Sequence, residues 1–258
     1  MQSELIFAEE RQNKILSMLK ICDKLLVSDL CEEFSVSPAT IRNDLNFLEK
    51  RGLLKRTHGG AISCSKSNFE LTSIQKEHSN SKQKQLIAEY AVNLIEDGDT
   101  IALDSGTTAY FLAELLSKKK NLTVVTTDTR ISQILENYPD ISVILAGGTI
   151  RKGFSCTVGT ITNTVLSSLH VDKVFMATNS VTSNGFLCTP NIEQANVKQT
   201  LISMGSQVFL LCDSSKFGTH SFAHFGNIKD IDLIITDSDI NTNFVSYINE
   251  IGVSLVTV

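Results

Sequence analysis

The chain has 258 residues with 42% hydrophobic and 20% charged, an ordinary balance for a soluble globular protein and a length that suggests two domains. Its net charge of −5 carries no global signature of nucleic-acid binding, so any such signal has to be local. No apolar run approaches ~18 residues, so no membrane span is expected.

The opening MQSELIFAEERQ has neither a basic nor an apolar segment, so no signal peptide is expected and a cytoplasmic location is. The six cysteines, Cys22, Cys31, Cys64, Cys156, Cys188 and Cys212, form no CxxC pair and no finger spacing. They read as reduced, packed thiols. Glu9–Cys22 has helical spacing through Ile15, Leu16, Leu19 and Cys22. Ser28 is expected to cap a short helix over DLCEEF, and Val36 to lie in the tight turn before Ser37.

The segment Ser37–Gly60, SPATIRNDLNFLEKRGLLKRTHGG, carries the sharpest local pattern. Ser37 is an N-cap and Pro38 suits the first helical position. Ile41, Leu45 and Leu48 recur as one buried stripe, which leaves Ala39, Arg42, Asn43, Asn46 and Lys50 on the other side. Gly52 is read as the helix stop, Leu53–Thr57 as a strand and His58-Gly59-Gly60 as the turn of a basic wing. Arg42, Lys50, Arg51, Lys55 and Arg56 stand against Asp44 and Glu49, a local excess of three positive charges in an acidic chain. Three short helices and a hairpin describe a winged helix-turn-helix, whose third helix enters the major groove. Arg and Asn are the side chains that pair with guanine and adenine edges. An ordinary surface helix with a basic tail is the bland alternative.

Ile62–Asn80 is rich in Ser, Asn and charge, with little periodicity, and reads as a linker. From Ser81 onward helices and strands alternate. Helices are expected at Lys82–Ile95, Thr108–Lys118, Arg130–Asn137, Thr160–Leu169, Glu193–Met204 and Phe244–Ile251. Strands are expected at Thr100–Leu103, Leu122–Val125, Ser142–Leu145, Lys173–Ala177, Val208–Leu211, Leu233–Ile235 and Val253–Val258. Apolar strands alternating with helices argue a mostly parallel sheet covered on both faces.

Small polar residues follow strand after strand: Asp104-Ser-Gly-Thr-Thr108, Thr126-Thr127-Asp128, Ala146-Gly-Gly-Thr149, Thr178-Asn179-Ser180, Asp213-Ser-Ser-Lys216 and Thr236-Asp237. In an open α/β sheet that edge binds ligands. The Asp104–Thr108 turn is suited to an anion or phosphate, because its glycine permits close approach and a helix N-terminus follows. Taken alone it is equally a tight turn. No GxxxxGK[ST] is present, so a nucleoside triphosphate is not expected. His220 and His224 lie in GTHSFAHFGN, a poor helix former, so no metal site is expected there, and no nucleophile elbow marks a hydrolase.

Two resemblances add to this reading. Glu10–Ala61, through its leading ER, TIRNDL and GLLKRTHGGA, resembles the DNA-binding domain of the DeoR family of bacterial transcriptional regulators. Asn43 departs from the family, which usually has a second Arg there. Phe47 is an aromatic on the outer face, expected to pack on the wing or a partner subunit. Ile74–Asp237, through DSGTT, Gly147-Gly148 and DSSKF, resembles the DeoR effector domain, similar in fold to ribose-5-phosphate isomerase. Lys76-Glu77 resembles the Arg-Glu pair that family members carry near the end of the linker.

The resemblance implies an N-terminal winged helix-turn-helix (1–61), a linker (62–80) and an α/β effector domain (81–258). Candidate DNA contacts are Ser37, Pro38, Ala39, Thr40, Arg42, Asn43, Asn46, Lys50, Lys55, Arg56 and His58. Candidate effector contacts are Asp104, Gly106, Thr107, Thr108, Thr126, Thr127, Gly147, Gly148 and Lys216, with Gly106, Thr107 and Thr108 holding phosphate, Asp104 a sugar hydroxyl and Lys216 neutralising the anion. Lys198, on the helix after Asn191-Ile-Glu-Gln, is a second candidate for that role, with a solvated helix lysine as the reading preferred for it. Thr126-Thr127 and Thr178-Asn179-Ser180 depart from the family pattern at loops expected to face the ligand. The implied protein is a repressor of a carbohydrate operon, responsive to a phosphorylated sugar or sugar alcohol. It would be at least a homodimer on double-stranded operator DNA, with no cofactor and no catalytic residues. An activator, or a sugar-phosphate isomerase with an appended DNA-binding domain, are the alternatives.

Overall fold

The computed structural model describes residues 7–22, 24–51, 53–63, 70–77 and 79–258. It falls into two compact units divided between Ser79 and Asn80. The expected helix stop at Gly52 lies outside the described residues.

The first unit contains α1 (Ala8–Ile21), β1 (Lys24–Leu26), α2 (Val27–Phe34), α3 (Pro38–Lys50), β2 (Leu54–Thr57), β3 (Gly60–Ser63) and α4 (Ser73–Glu77). The helices pack through Ile15, Leu19, Leu30, Phe34, Ile41, Leu45 and Leu48. Each such side chain contributes about 1.5–3 kcal/mol by leaving water. That outweighs the propensity of α3, which is marginal alone at 13 residues. Ser37 caps α3 as expected, its Oγ accepting from the Thr40 N–H at 3.2 Å.

Ser28 does not cap α2. It lies inside the helix and donates to Asp29 Oδ1, while Leu26 holds the cap position without a side-chain bond. The backbone does that work instead: β1 pairs with β3, and the Val27 N–H donates to the Gly59 carbonyl at 2.8 Å. The wing is therefore one edge of a three-stranded antiparallel sheet, β1-β3-β2. Gly60, read as part of the turn, is the first residue of β3. A Cβ there would meet the Leu25 carbonyl oxygen at 1.9 Å, so only glycine lets β1 approach.

The stretch read as linker without periodicity contains α4. Thr72 and Gln75 cap it reciprocally: the Thr72 N–H donates to Gln75 Oε1 at 3.1 Å, and the Gln75 N–H to Thr72 Oγ1 at 3.4 Å.

The second unit runs α5 (Ser81–Ala91), β4 (Thr100–Leu103), α6 (Thr107–Glu114), β5 (Leu122–Thr126), α7 (Thr129–Leu135), β6 (Ile141–Leu145), β7 (Thr149–Arg151), β8 (Cys156–Val158), α8 (Thr160–Ser167), β9 (Val171–Ala177), β10 (Ser180–Val181), β11 (Phe186–Thr189), α9 (Ile192–Met204), β12 (Gly205–Leu211), β13 (Ala223–Asn227), β14 (Leu233–Thr236), α10 (Thr242–Glu250) and β15 (Ser254–Thr257). Seven strands form one parallel sheet in the order β15-β14-β12-β9-β4-β5-β6. Alternate residues serve opposite faces. Ala102, Val174, Met176 and Leu210 join Leu166, Leu201 and Ile248 of α8, α9 and α10. Ile101, Leu103, Phe175 and Leu211 join Ile87, Leu112 and Ile131 of α5, α6 and α7.

Two small antiparallel pieces were not expected, the β7–β8 hairpin and the β10-β11-β13 sheet. His224 lies on β13, with its ring stacked on Phe186 at 4.7 Å.

The chain runs outward from β4 through β5 and β6, then returns to β9 on the other side of β4 and continues through β12, β14 and β15. The strand order reverses between β4 and β9, and it is at the carboxyl ends of such a pair, in the switch-point crevice, that doubly wound sheets bind ligands.

Candidate functional site

In the first unit, Arg42 and Asn43 are exposed on α3, as are Ala39, Lys50, Lys55 on β2 and His58 at the wing tip. Pro38, Arg42, Arg56 and His58 come together with Val27 and Ser28 around one cleft of about 380 Å³. Ala39, Asn43, Lys50 and Lys55 lie outside that cleft lining. Thr40 stays close to the cap, its hydroxyl 2.9 Å from Ser37 Oγ. Asn46 and Arg56 are half-buried and bonded to each other, Arg56 Nη1 donating to Asn46 Oδ1. Phe47 is 43% exposed, with the Arg51 guanidinium 4.9 Å from its ring centroid.

Asp44 is not part of the exposed charge of α3. It is buried and accepts from Arg11 Nε at 2.6 Å and Gln12 Nε2 at 2.9 Å. The pair ties α1 to the inner side of α3, so the outer side presents an even stronger positive excess.

In the second unit, Asp104 stands at the switch point. It is fully buried. Its Oδ1 accepts from the Ser105 N–H at 2.8 Å, and its Oδ2 accepts from the Ala177 N–H at 3.0 Å and from Lys198 Nζ. One carboxylate thus bridges the ends of β4 and β9. Lys198 also donates to the Ala177 carbonyl at 2.9 Å and lies over the Phe225 ring.

Lys198 is therefore not a solvated helix residue. It is 3% exposed, because α9 turns it inward on the same stripe as Gln194 and Leu201. Gln194 continues the network, donating to Ser105 Oγ at 2.9 Å and accepting from Cys156 Sγ at 3.2 Å. Burial pushes the Cys156 thiol up to about 11, so it stays protonated at neutral pH.

Gly106 precedes α6 at φ +150°, and a Cβ there would crowd Ala177 at 3.3 Å. Thr107 and Thr108 form the first turn of α6, whose first N–H groups receive no side-chain cap. Thr126 is committed to the fold: its hydroxyl donates to the Leu103 carbonyl at 2.8 Å and accepts from the Asp128 N–H at 3.0 Å. The Thr127 hydroxyl is buried without a partner.

Asp128 caps α7 through the Arg130 N–H at 2.8 Å. Burial pushes its carboxyl up to about 6, against the N–H groups of Arg130 and Ile131, the Arg130 charge and the Gly106 N–H, which pull it down. Gly147 is open, and its carbonyl accepts from Thr162 Oγ1 at 2.9 Å, beside Gly148.

Lys216 is set apart from this turn. It belongs to the loop after β12, two strands from β4, and pairs with Asp213 at 3.7 Å. Burial works to raise the Asp213 carboxyl. The Lys216 charge, the Ser215 and Asn80 donors and the Lys84 charge outweigh it and hold Asp213 below the usual carboxylate range. Ser105, Asp128, Cys156 and Gln194 join this network without having been among the candidate contacts, and Lys198, the second candidate, lies at its centre.

A winged helix-turn-helix with a basic reading face and a doubly wound sheet with a polar switch-point crevice define a DNA-binding regulator with a sensor unit. Residues 11–67 match the DeoR-like helix-turn-helix domain and residues 79–238 the DeoR C terminal sensor domain. The chain belongs to the DeoR family of transcriptional regulators.

The HTH-type transcriptional regulator GlpR of Haloferax volcanii is 34% identical over 96% of each chain. The lactose phosphotransferase system repressor of Lactococcus lactis is 37% identical over 90% of this chain and 92% of that one. GolR of Listeria innocua is 35% identical over 92% and 93%. Among solved structures, ribose 5-phosphate isomerase A of Methanocaldococcus jannaschii is 20% identical, covering 54% of this chain and 55% of that one with a TM-score of 0.40, too low to carry an argument about activity. Among the described residues, no helix is long and apolar enough to cross a membrane.

Proposed function

We propose that the chain is a repressor of carbohydrate uptake or breakdown genes whose operator affinity is set by a phosphorylated sugar or polyol. The effector binds at the carboxyl edge of the parallel sheet, against the first turn of α6. The observation that carries this reading is the uncapped start of α6 with Thr107 and Thr108, beside a switch-point carboxylate that Lys198 already neutralises. Helix N-termini attract anions, and an ion-paired Asp104 removes the repulsion that a bare carboxylate would exert. A relative named as a lactose phosphotransferase system repressor supports the sugar link.

The arrangement favours binding over turnover. An isomerase needs a free base near the substrate carbon. Both Asp104 oxygens already accept hydrogen bonds, and Asp213 accepts from Ser215 and Asn80 and is ion-paired with Lys216 at 3.7 Å. The protein acts as a homodimer or higher homo-oligomer, because operator half-sites mirror a two-fold axis. Its place is the cytoplasm, with the DNA.

A thermal-shift screen of the full chain against phosphorylated sugars and polyols tests the reading. A ligand that binds only the folded state raises the melting temperature by mass action. The expected result is a shift with at least one phosphorylated compound and none with its unphosphorylated parent. Equal shifts with both overturn the phosphate assignment.

A further inference from the structure

The β7–β8 hairpin extends a short ladder beside the first turn of α6. The Thr157 N–H donates to the Thr127 carbonyl at 3.0 Å and the Thr129 N–H to the Ser155 carbonyl at 2.8 Å, which stitches β8 to the segment after β5. Asp128 then stands opposite Cys156, and Cys156 opposite Arg151. Directly opposed residues of antiparallel strands share a face, so these three side chains lie side by side. That face is turned toward the Asp104–Thr108 turn. Cys156 Sγ donates to Gln194, which in turn donates to Ser105 Oγ at 2.9 Å, and the Gly106 N–H acts on the Asp128 carboxyl. Arg151 is half-buried, its charge acts on the Cys156 thiol, and its guanidinium lies 3.7 Å from the Phe154 ring centroid.

An anion at the start of α6 needs a counter-charge. Both lysines of the polar edge already have one of their own: Lys198 pairs with Asp104, and Lys216 with Asp213 in the loop after β12. Asp128 faces the turn as well, and its carboxylate repels an anion whenever it is ionised. A cation on the same face of the ladder offsets that repulsion. A guanidinium further presents paired donors in one plane, which match phosphate oxygens, and stacking on an aromatic ring fixes that plane. We propose that Arg151 is the phosphate-binding cation of the effector site, so that the phosphate is held between the first turn of α6 and a guanidinium carried by the β7–β8 hairpin. The inference rests on the effector site proposed above.

Binding of inorganic phosphate to the full chain tests it, read from the rise in melting temperature at an ionic strength held constant with chloride. Arg151→Met is expected to weaken phosphate binding roughly 10- to 100-fold, and Arg151→Lys to recover part of that loss. Lys152→Met removes an equal charge from the exposed tip of the same hairpin and is expected to change binding by less than about twofold. Binding unchanged in Arg151→Met, or weakened as much by Lys152→Met, overturns the inference. Thr107→Val separates it from the reading beneath it. Weakening by both Thr107→Val and Arg151→Met supports the shared site. Weakening by Thr107→Val alone keeps the α6 site and overturns the role of Arg151. Weakening by Arg151→Met alone overturns the placement of the phosphate at α6. If circular dichroism shows Arg151→Met to be unfolded, Arg151→Lys decides: a severalfold loss is expected, and unchanged binding overturns the inference. A wild type that binds no phosphate overturns the phosphate reading of the site, and this inference with it.

Discussion

Asp44 and Asp104 are both buried carboxylates held by a basic side chain, yet one lies behind the exposed side of α3 and the other at the switch point of the parallel sheet. The Arg11–Asp44 pair joins α1 to the inner side of α3, opposite Arg42 and Asn43. Nothing in that pair needs to meet the DNA, and its effect is to hold the reading helix still. The Lys198–Asp104 pair spans β4 and β9 at the switch point, beside the turn that leads into α6. There the same chemistry joins two strand ends beneath the proposed ligand site. Exposed donors on a fixed scaffold suit a partner as large as DNA, while charges arranged in advance inside the protein suit the small polar ligand we propose.

Removing one member of each pair separates the two roles. Lys198→Met leaves Asp104 buried without its counter-charge, a loss expected to cost about 3–5 kcal/mol in denaturant unfolding of the full chain. Adding Asp104→Asn should return a large part of that. Arg11→Met should cost less, about 2 kcal/mol, because Gln12 still donates to Asp44. A Lys198→Met loss below about 1 kcal/mol would mean that water reaches the pair and that the crevice is not organised by it.

Asp128 sharpens the picture of the crevice. Its folded carboxyl is raised from 3.8 to about 6, so the native state holds its proton more tightly than the unfolded chain does. This group's contribution to stability therefore falls as pH rises from about 4 to about 6, by at most roughly 3 kcal/mol, and is constant above that. Asp128→Asn keeps the cap on α7 but removes the buried charge. Its stability advantage over the wild type should grow across that pH window and then level off. Thermal melts from pH 4 to 8 that show a constant difference would contradict the account.

The smallest effect belongs to the winged unit. Ser37→Ala removes the side-chain cap of α3 and should cost about 1 kcal/mol in the same unfolding measurement. No loss would mean that the backbone alone sets the start of the reading helix.

The elements that were legible in the sequence share a physical reason. Ser37-Pro38 announces a helix start by local chemistry, and TIAL or LTVV announces a strand by β-branched residues between polar turns. What was missed depends on contacts distant in sequence. β1 is only three residues long and exists because β3 pairs with it. The β10-β11-β13 sheet gathers short segments separated by a whole helix and strand.

Lys198 is the instructive case for the site. The spacing of Gln194, Lys198 and Leu201 is that of a buried stripe, but a lysine is expected in water unless its partner is known. That partner, Asp104, lies 94 positions earlier. The α4 cap is different: Thr72-Ser-Ile-Gln75 has the spacing of a capping box and could have been read locally.

In the proposed function, a phosphorylated ligand at the start of α6 controls operator binding by α3. Operator affinity of the full chain, measured with and without the phosphorylated compound that raises its melting temperature, tests this most directly, in the wild type and in Thr107→Val. The account predicts that the ligand lowers wild-type affinity roughly 5- to 150-fold, while Thr107→Val binds operator equally well and no longer responds. A wild-type affinity that the ligand leaves unchanged, or a Thr107→Val response equal to that of the wild type, would contradict it.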